Sequence, residues 1–173
     1  MIAGSRQSTA MQAPMTNGLT TKRDRNAGAA GKATPRQLLG VTDQEFEAMG
    51  ELGTMYYEQG DLERARIVFE GMVEADPSSS SAHAALGALY LRTGHDEVAI
   101  PHLNRAIELD STQLSAYVNR AEAELKLKQP EKAIADLKRA IELDPGGQNP
   151  AANRARMMAL GLNQALKVKN PGH

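Results

Sequence analysis

The sequence predicts an all-α solenoid of three helix-turn-helix repeats followed by a C-terminal capping helix. The main observation is a self-similarity of 34 residues, by which Gly87 follows Gly53 and Ala99 lies midway between Ala65 and Ala133. A fixed period of this length is typical of stacked helix pairs. The composition agrees, because aromatic residues make up only 3% of the chain, which suits helices in close contact better than β-strands.

Two capping boxes predict where the helical part begins. Thr34 and Gln37 have the spacing of a capping box, with Pro35 at the first helical position. Thr42 and Glu45 form a second box, which opens the first repeat helix. We therefore expect a short helical lead-in over residues 34–45 and a disordered basic tail over residues 1–33, which show no apolar period.

Each repeat is predicted to contain a first helix, a turn and a second helix. In the first repeat, the first helix should end near Gln59 and the second should run from Leu62 to Ala75, because Gly60 breaks the pattern between them. The predicted repeats cover residues 46–79, 80–113 and 114–147. A capping helix over residues 148–167 should then cover the end of the stack, followed by a flexible C-terminus over residues 168–173.

The residues that recur in phase carry a resemblance to a known family. Leu-Gly, Tyr and Ala return at the 34-residue interval, as in Leu86, Gly87, Tyr90 and Ala99, and a closing Pro recurs two periods apart at Pro77 and Pro145. In these positions the sequence resembles the tetratricopeptide repeat (TPR) family. The resemblance implies a concave groove that is lined by the fifth, ninth and twelfth residues of each first helix. In this chain these are Gly50, Thr54, Tyr57, Ala84, Ala88, Leu91, Val118, Glu122 and Leu125.

Charged residues near this groove predict the polarity of a ligand. Glutamates lie beside the first repeat, and basic residues lie on or beside the later walls. The bound segment is therefore expected to have an aliphatic middle, a basic or neutral end near Glu51 and an acidic end near Arg156. The full set of rim charges is Glu47, Glu51, Glu58, Arg92, Lys126 and Arg156.

One subgroup of the family binds the C-terminal carboxylate of heat-shock chaperones with a clamp of Lys, Asn and Arg residues. In this chain only Asn119 matches a clamp position, and it is counted with the groove residues. Ala84 and Ala88 stand at the upstream clamp positions, with Asn149 and Asn153 at the downstream ones. The sequence therefore does not favour a heat-shock co-chaperone of this kind.

Two further groups of polar residues have a structural interpretation. Arg120 and Glu124 are spaced i, i+4, which predicts an ion pair on one helical face. His83, His95 and His102 lack the close spacing of metal ligands, so no metal site is predicted.

Composition and charge exclude several function classes. The chain has no cysteine, no apolar run of the roughly 18 residues that span a bilayer, and no nucleophile–base pair or phosphate loop. We expect a cytoplasmic, non-enzymatic protein with no cofactor, no small-molecule substrate and no membrane contact. Residues 1–36 carry six basic side chains against one acidic. This tail lacks interleaved aromatic residues for stacking, so nucleic-acid binding is not favoured.

The predicted function is a protein-protein interaction module that holds an extended or helical segment of a partner in the groove. A second resemblance sharpens this hypothesis. Residues 35–147, including the Ala-Glu run of residues 120–125, are similar to the bacterial type III secretion chaperones that guard translocator proteins. The alternative is a structural assembly subunit that docks through its convex or terminal surfaces, and a homodimer is left open. A third hypothesis is a tail-driven contact with nucleic acid, which should weaken steeply with salt.

Overall fold

The computed structural model describes residues 33–169, with side chains for residues 33–165. Over this range the chain forms helices and no strand, which confirms the all-α prediction. The tail predicted for residues 1–33 lies, apart from Ala33, outside the described residues, as do residues 170–173 of the predicted flexible C-terminus. The helices are α1 (Pro35–Leu38), α2 (Asp43–Gln59), α3 (Leu62–Ala75), α4 (Ser80–Arg92), α5 (Asp96–Leu109), α6 (Leu114–Lys126), α7 (Pro130–Leu143) and α8 (Pro150–Lys169).

Both capping boxes are present and define the start of the fold. The Thr34 hydroxyl accepts from the backbone N–H of Gln37, whose side chain accepts in return from the Thr34 N–H. Thr42 and Glu45 repeat this arrangement at the start of α2. Between the boxes, Gly40 takes a φ of +73°, which glycine adopts without steric cost. The lead-in is therefore a single helical turn joined to α2 by a tight bend.

The turn inside each helix pair uses a left-handed residue at the same repeat position. Gly60 and Gly94 have φ values of +81° and +78° in the first two repeats. The third repeat has Lys128 there, with a φ of +60°. The repeat geometry thus holds a non-glycine residue in a conformation that costs about 1–2 kcal/mol.

The two helices of a pair approach closely where their residues are smallest. A Cβ atom added to Gly87 of α4 would lie 2.7 Å from the Cγ atom of Leu103 in α5. Leu103 and the neighbouring Ala99 have no exposed surface. In the third pair, Ala121 stands at the position of Gly87 and is also fully buried. The small residues that define the repeat are therefore packing residues.

Successive pairs stack so that the first helices α4 and α6 are each covered by the pair before them. Leu86 and Leu89 of α4 are 2% and 1% exposed, since they pack in one cluster with Phe69 and Met72 of α3. The same relation continues from the second pair to the third, where Ala116 and other α6 residues join the core of α4 and α5. Stacking brings the first helices α2, α4 and α6 side by side.

Helix α8 covers the end of the stack. Ala152 and Ala155 of α8 are fully buried in the cluster of α6 and α7. The helix continues to Lys169, two residues beyond the predicted end. None of the helices described between residues 33 and 169 is long and apolar enough to cross a membrane.

Candidate functional site

The face formed by the first helices carries two neighbouring depressions. The first, which we call the acidic pocket, has a volume of about 570 Å³ and lies between α2, α3 and α4. The second, which we call the polar pocket, has a volume of about 400 Å³ and lies between α2, α4, α6 and α8. The acidic pocket is lined by Phe46, Glu47, Gly50, Glu51, Thr54, Met55, Glu58, Phe69, Met72, Ser81 and Ala85. The polar pocket is lined by Tyr57, Ala88, Leu91, Arg92, Asn119, Glu122, Lys126 and Arg154.

The floor of the acidic pocket is apolar because α2 carries a glycine where a side chain would close it. A Cβ atom at Gly50 would lie 3.3 Å from the terminal methyl carbon of Met72, so glycine lets the Met72 side chain approach α2 closely at this point. Phe46, Phe69 and Met72 form the buried base, and the half-exposed Met55 forms one edge. Methionine side chains adapt to differently shaped apolar partners. The pocket is suited to one or two aliphatic side chains.

Three glutamates border this apolar floor on the α2 side. Glu47, Glu51 and Glu58 all line the pocket, as expected of rim residues beside the first repeat. No lysine, arginine or histidine between residues 33 and 165 forms an ion pair with any of the three. The pocket therefore presents uncompensated negative charge beside apolar surface, which favours a ligand that carries lysine or arginine.

The cations of the polar pocket are held by partners within the chain. Arg92 donates to the backbone carbonyl of Tyr57 and lies over its ring, 4.5 Å from the centroid. The Lys126 ammonium donates to the Leu91 carbonyl at 3.2 Å and lies 3.4 Å from a carboxylate oxygen of Glu122. These contacts tie each first helix to the next one. Lys126 is therefore paired with a carboxylate and offers little to an acidic ligand, whereas Arg92 contacts only a neutral carbonyl and a ring.

The predicted rim residue Arg156 does not reach the groove. Its guanidinium donates to the carbonyl oxygens of Asp144 and Pro145 at 2.6 and 2.9 Å, next to the C-terminal end of α7. Arg154 takes the groove position instead, where it forms an ion pair with Glu122 and donates to the Asn119 amide oxygen. Repeat spacing did not reveal this exchange, because the three predicted repeats end before α8 begins.

Three other predicted lining residues belong to the core rather than to the groove surface. Val118 has no exposed surface, and the partly buried Leu125 packs against the same cluster of α6, α7 and α8. Ala84 is 5% exposed and packs in the cluster of α4 and α5. The helices are rotated so that the sixth, ninth and thirteenth positions of α6 face the groove. Asn119, Glu122 and Lys126 occupy these positions.

The sequence reasoning missed the residues that form the floor of the acidic pocket. Phe69 and Met72 belong to α3, a second helix, and reach the groove beside Gly53 and Gly50, respectively. Phe46 and Met55 lie on α2 but outside the fifth, ninth and twelfth positions. The sequence signal that could have indicated this floor is the presence of glycines on a first helix and of large apolar residues on the second helix that packs against it.

The ion pair predicted between Arg120 and Glu124 is wrong. Arg120 instead donates two hydrogen bonds of 2.6 Å to the carboxylate of Asp136 in α7, and a third of 2.7 Å to Asn104 in α5. Arg120 pairs with Asp136 of α7 and not with Glu124 of its own helix, because both oxygens of the Asp136 carboxylate face the planar guanidinium. Glu124 is 6% exposed, and burial together with the nearby Asp136 raises the pKa of its carboxyl above the usual value.

His83 and His102 meet between α4 and α5. The Nδ1 atoms of His83 and His102 lie 3.3 Å apart, and His83 Nε2 lies 3.2 Å from the Pro77 carbonyl oxygen. A carbonyl only accepts, so His83 donates from Nε2 and accepts at Nδ1 from His102. Burial lowers the pKa of both imidazoles from 6.5, and the charge of His83 lowers that of His102 further.

A metal site is not evident from these side chains. Within residues 33–165, no three His, Cys, Asp or Glu side chains are grouped as metal ligands would be. Tyr90 stacks on His102 at 5.7 Å between ring centroids and donates to Glu70 of α3 at 2.9 Å. The histidine pair thus belongs to a network that joins the first and second repeats.

Family models match the chain in successive segments that follow its repeats. Models of the tetratricopeptide repeat match residues 23–80, 80–113 and 115–146. The chain belongs to the tetratricopeptide repeat family. The second match contains the helix pair α4 and α5, and the third begins one residue into α6 and contains the rest of the pair α6 and α7. No curated protein matches the chain in sequence.

Solved structures with this tetratricopeptide fold include bacterial and eukaryotic proteins. The type III secretion translocator chaperone SycD from Yersinia enterocolitica is 23% identical, with a TM-score of 0.67 over 76% of this chain and 99% of that chain. SycD in complex with a peptide of the translocator YopD gives 22% identity and a TM-score of 0.64 over 75% and 97%. The first TPR of Spaghetti (RPAP3), bound to an HSP90 peptide, is 28% identical, with a TM-score of 0.64 over 73% and 96%.

Proposed function

We propose that this protein is a non-enzymatic module that binds a peptide segment of a partner protein along the face of its first helices. The observation that carries the proposal is the acidic pocket. Its base of Phe46, Phe69 and Met72 is continuous with three glutamates that have no cation against them in the described part of the chain. Apolar contacts in a shallow pocket provide affinity, while rim charges set orientation and association rate.

The charge distribution specifies the bound segment. An aliphatic anchor fits the acidic pocket, and lysine or arginine residues beside that anchor would pair with Glu47, Glu51 and Glu58. In the polar pocket, Lys126 and Arg154 are already paired with carboxylates of the chain, so they offer little free charge to a ligand. The segment is therefore basic beside its anchor and neutral towards α8. An acidic end of the ligand near Arg156 is not part of this proposal, because the Arg156 side chain lies outside the groove.

Proteins of the same fold support a peptide ligand. SycD binds a peptide of the translocator YopD, and the first TPR of Spaghetti binds an HSP90 peptide. We favour the role of a secretion chaperone for a translocator protein over that of an assembly subunit, because SycD matches over 99% of its own length.

The test uses one groove variant and one matched control. Thr54 is exposed and lines the acidic pocket, so Thr54→Arg fills the pocket without entering the core. Ala135 of α7 is exposed and lies outside both pockets, so Ala135→Arg introduces the same side chain elsewhere. Partners purified with the wild-type protein are identified by mass spectrometry, and their binding segments are then measured as peptides by calorimetry.

Thr54→Arg should abolish peptide binding, whereas Ala135→Arg should bind as the wild type does. Glu51→Lys should weaken binding moderately, with an effect that shrinks in high salt because exposed charges are screened. Ala88→Arg should reduce binding of segments that extend into the polar pocket. Retention of every partner by a correctly folded Thr54→Arg variant would show that the groove is not the binding site.

A further inference from the structure

The outer face of α2, at the N-terminal end of the stack, carries an apolar stripe that the other repeats bury. Ala48, Leu52 and Met55 are spaced i, i+4 and i+7, so they share one side of the helix. All three are exposed, with Leu52 and Met55 at 41% and 42%. We call this stripe the stacking face. It is separate from the acidic pocket except for Met55, which borders both.

The equivalent residues of the second repeat show what this stripe is suited to contact. Ala82, Leu86 and Leu89 follow Ala48, Leu52 and Met55 by 34 residues, and they are 0%, 2% and 1% exposed. They are covered by an amphipathic helix, α3, through residues that include Ala65, Phe69 and Met72. In the third repeat, Ala116 and Ala123 stand at two of the same positions and have no exposed surface.

The negative charge of α2 favours a basic helix over an acidic one as the partner that covers the stacking face. The helix contains five acidic residues and no lysine or arginine. Asp43 pairs with Arg36, and Glu45 is engaged in the capping box, which leaves Glu47, Glu51 and Glu58 without a cation in the described chain. Glu58 also lies next to the C-terminal end of α2, where the helix dipole disfavours negative charge. A basic helix would relieve this unfavourable charge.

We propose that the stacking face docks a basic amphipathic helix of a partner protein, in the position that α3 takes on α4. A second copy of this chain does not fit the charge, because packing α2 against α2 would bring two helices with five acidic residues each together. Head-to-tail stacking does not fit the fold, because α8 covers the opposite end. The stacking face shares Met55 and the nearby glutamates with the acidic pocket, but its central residue, Leu52, lines neither pocket, so substitution of Leu52 tests this face separately.

The test uses a synthetic helical peptide as the probe. The peptide carries the apolar residues of α3 at their own spacing and lysine at the remaining positions, and a second peptide carries glutamate in place of lysine. Binding to the full chain is measured by fluorescence anisotropy. Leu52→Asp removes the centre of the stacking face, and Ile67→Asp makes the same kind of change at a 57% exposed position of α3. Because Leu52→Asp adds negative charge, any loss of the basic peptide reports the apolar contact.

The basic peptide should bind the wild type and the Ile67→Asp variant equally, and the Leu52→Asp variant about tenfold or more weakly. The acidic peptide should bind the wild type at least about tenfold more weakly than the basic one. Equal binding of the two peptides would overturn the charge argument, and unchanged binding by Leu52→Asp would overturn the site. Self-association of the wild type in sedimentation that Leu52→Asp removes would assign the face to a second copy instead. Thr54→Arg should leave the basic peptide bound, which separates this result from the groove test.

Discussion

The close approach of α4 and α5 makes the effect of Gly87→Ala opposite to that expected from helix propensity. In an open helix interior, alanine is about 1 kcal/mol more favourable than glycine. At Gly87, however, the new Cβ would lie 2.7 Å from both Cγ and Cδ2 of Leu103, and 3.4 Å from the carbonyl oxygen of Ala99. Leu103 and Ala99 have no exposed surface, so neither can move away into solvent.

The magnitude follows from these two opposing terms. Overpacking a core costs about 1–3 kcal/mol, which exceeds the gain in propensity over most of that range. We expect Gly87→Ala to lower the free energy of unfolding by about 1 kcal/mol. Gly71 of α3 is the matched control, because nothing lies within 4 Å of a Cβ added there. Gly71→Ala should raise the free energy of unfolding by about 0.5–1 kcal/mol.

Urea denaturation followed by far-UV circular dichroism measures both variants under the same conditions. The denaturation midpoint should fall for Gly87→Ala and rise for Gly71→Ala, with similar slopes for both. The third repeat accommodates Ala121 beside Leu137, so the experiment tests the spacing of α4 and α5 rather than the tolerance of the position in general. Equal stabilisation by both substitutions would refute the packing argument.

Two further predictions concern buried polar groups. Asp136→Ala should lower the free energy of unfolding by about 3–5 kcal/mol, because it leaves the Arg120 guanidinium without its carboxylate. Urea denaturation measures this difference, and a change below about 1 kcal/mol would contradict the prediction. The lowered pKa of His83 and His102 makes the unfolded chain bind more protons below pH 6.5, so the free energy of unfolding should fall as the pH decreases from 6.5. Denaturation at a series of pH values should show this slope, and replacing both histidines with glutamine should flatten it.

The repeat period and the local signals determined most of the fold. The 34-residue spacing placed Gly87 and Ala99 at helix crossings, and the structure buries both. The capping boxes at Thr34 and Thr42 formed as expected, because their hydrogen bonds join residues only three positions apart. Such signals could be read from the sequence, since the repeat imposes the same neighbours on every copy.

The composition of the groove depended on helix rotation, which the sequence did not specify to within one position. Val118 was expected on the surface but lies in the core, while Asn119, the next residue, faces the polar pocket. Successive residues of a helix point about 100° apart, so a small error in rotation exchanges groove residues for core residues. Helix α8 shows the same effect, with Arg154 in the groove where Arg156 was expected.

Contacts between distant residues were decided by the tertiary structure alone. Arg120 could pair with Glu124 within its own helix, but the stack brings Asp136 of α7 within 2.6 Å with better geometry. The acidic pocket likewise combines the glutamates of α2 with Phe69 and Met72 of α3. Periodicity in one chain determines which residues face inward, whereas the partner that each one meets depends on how neighbouring helices are rotated and spaced.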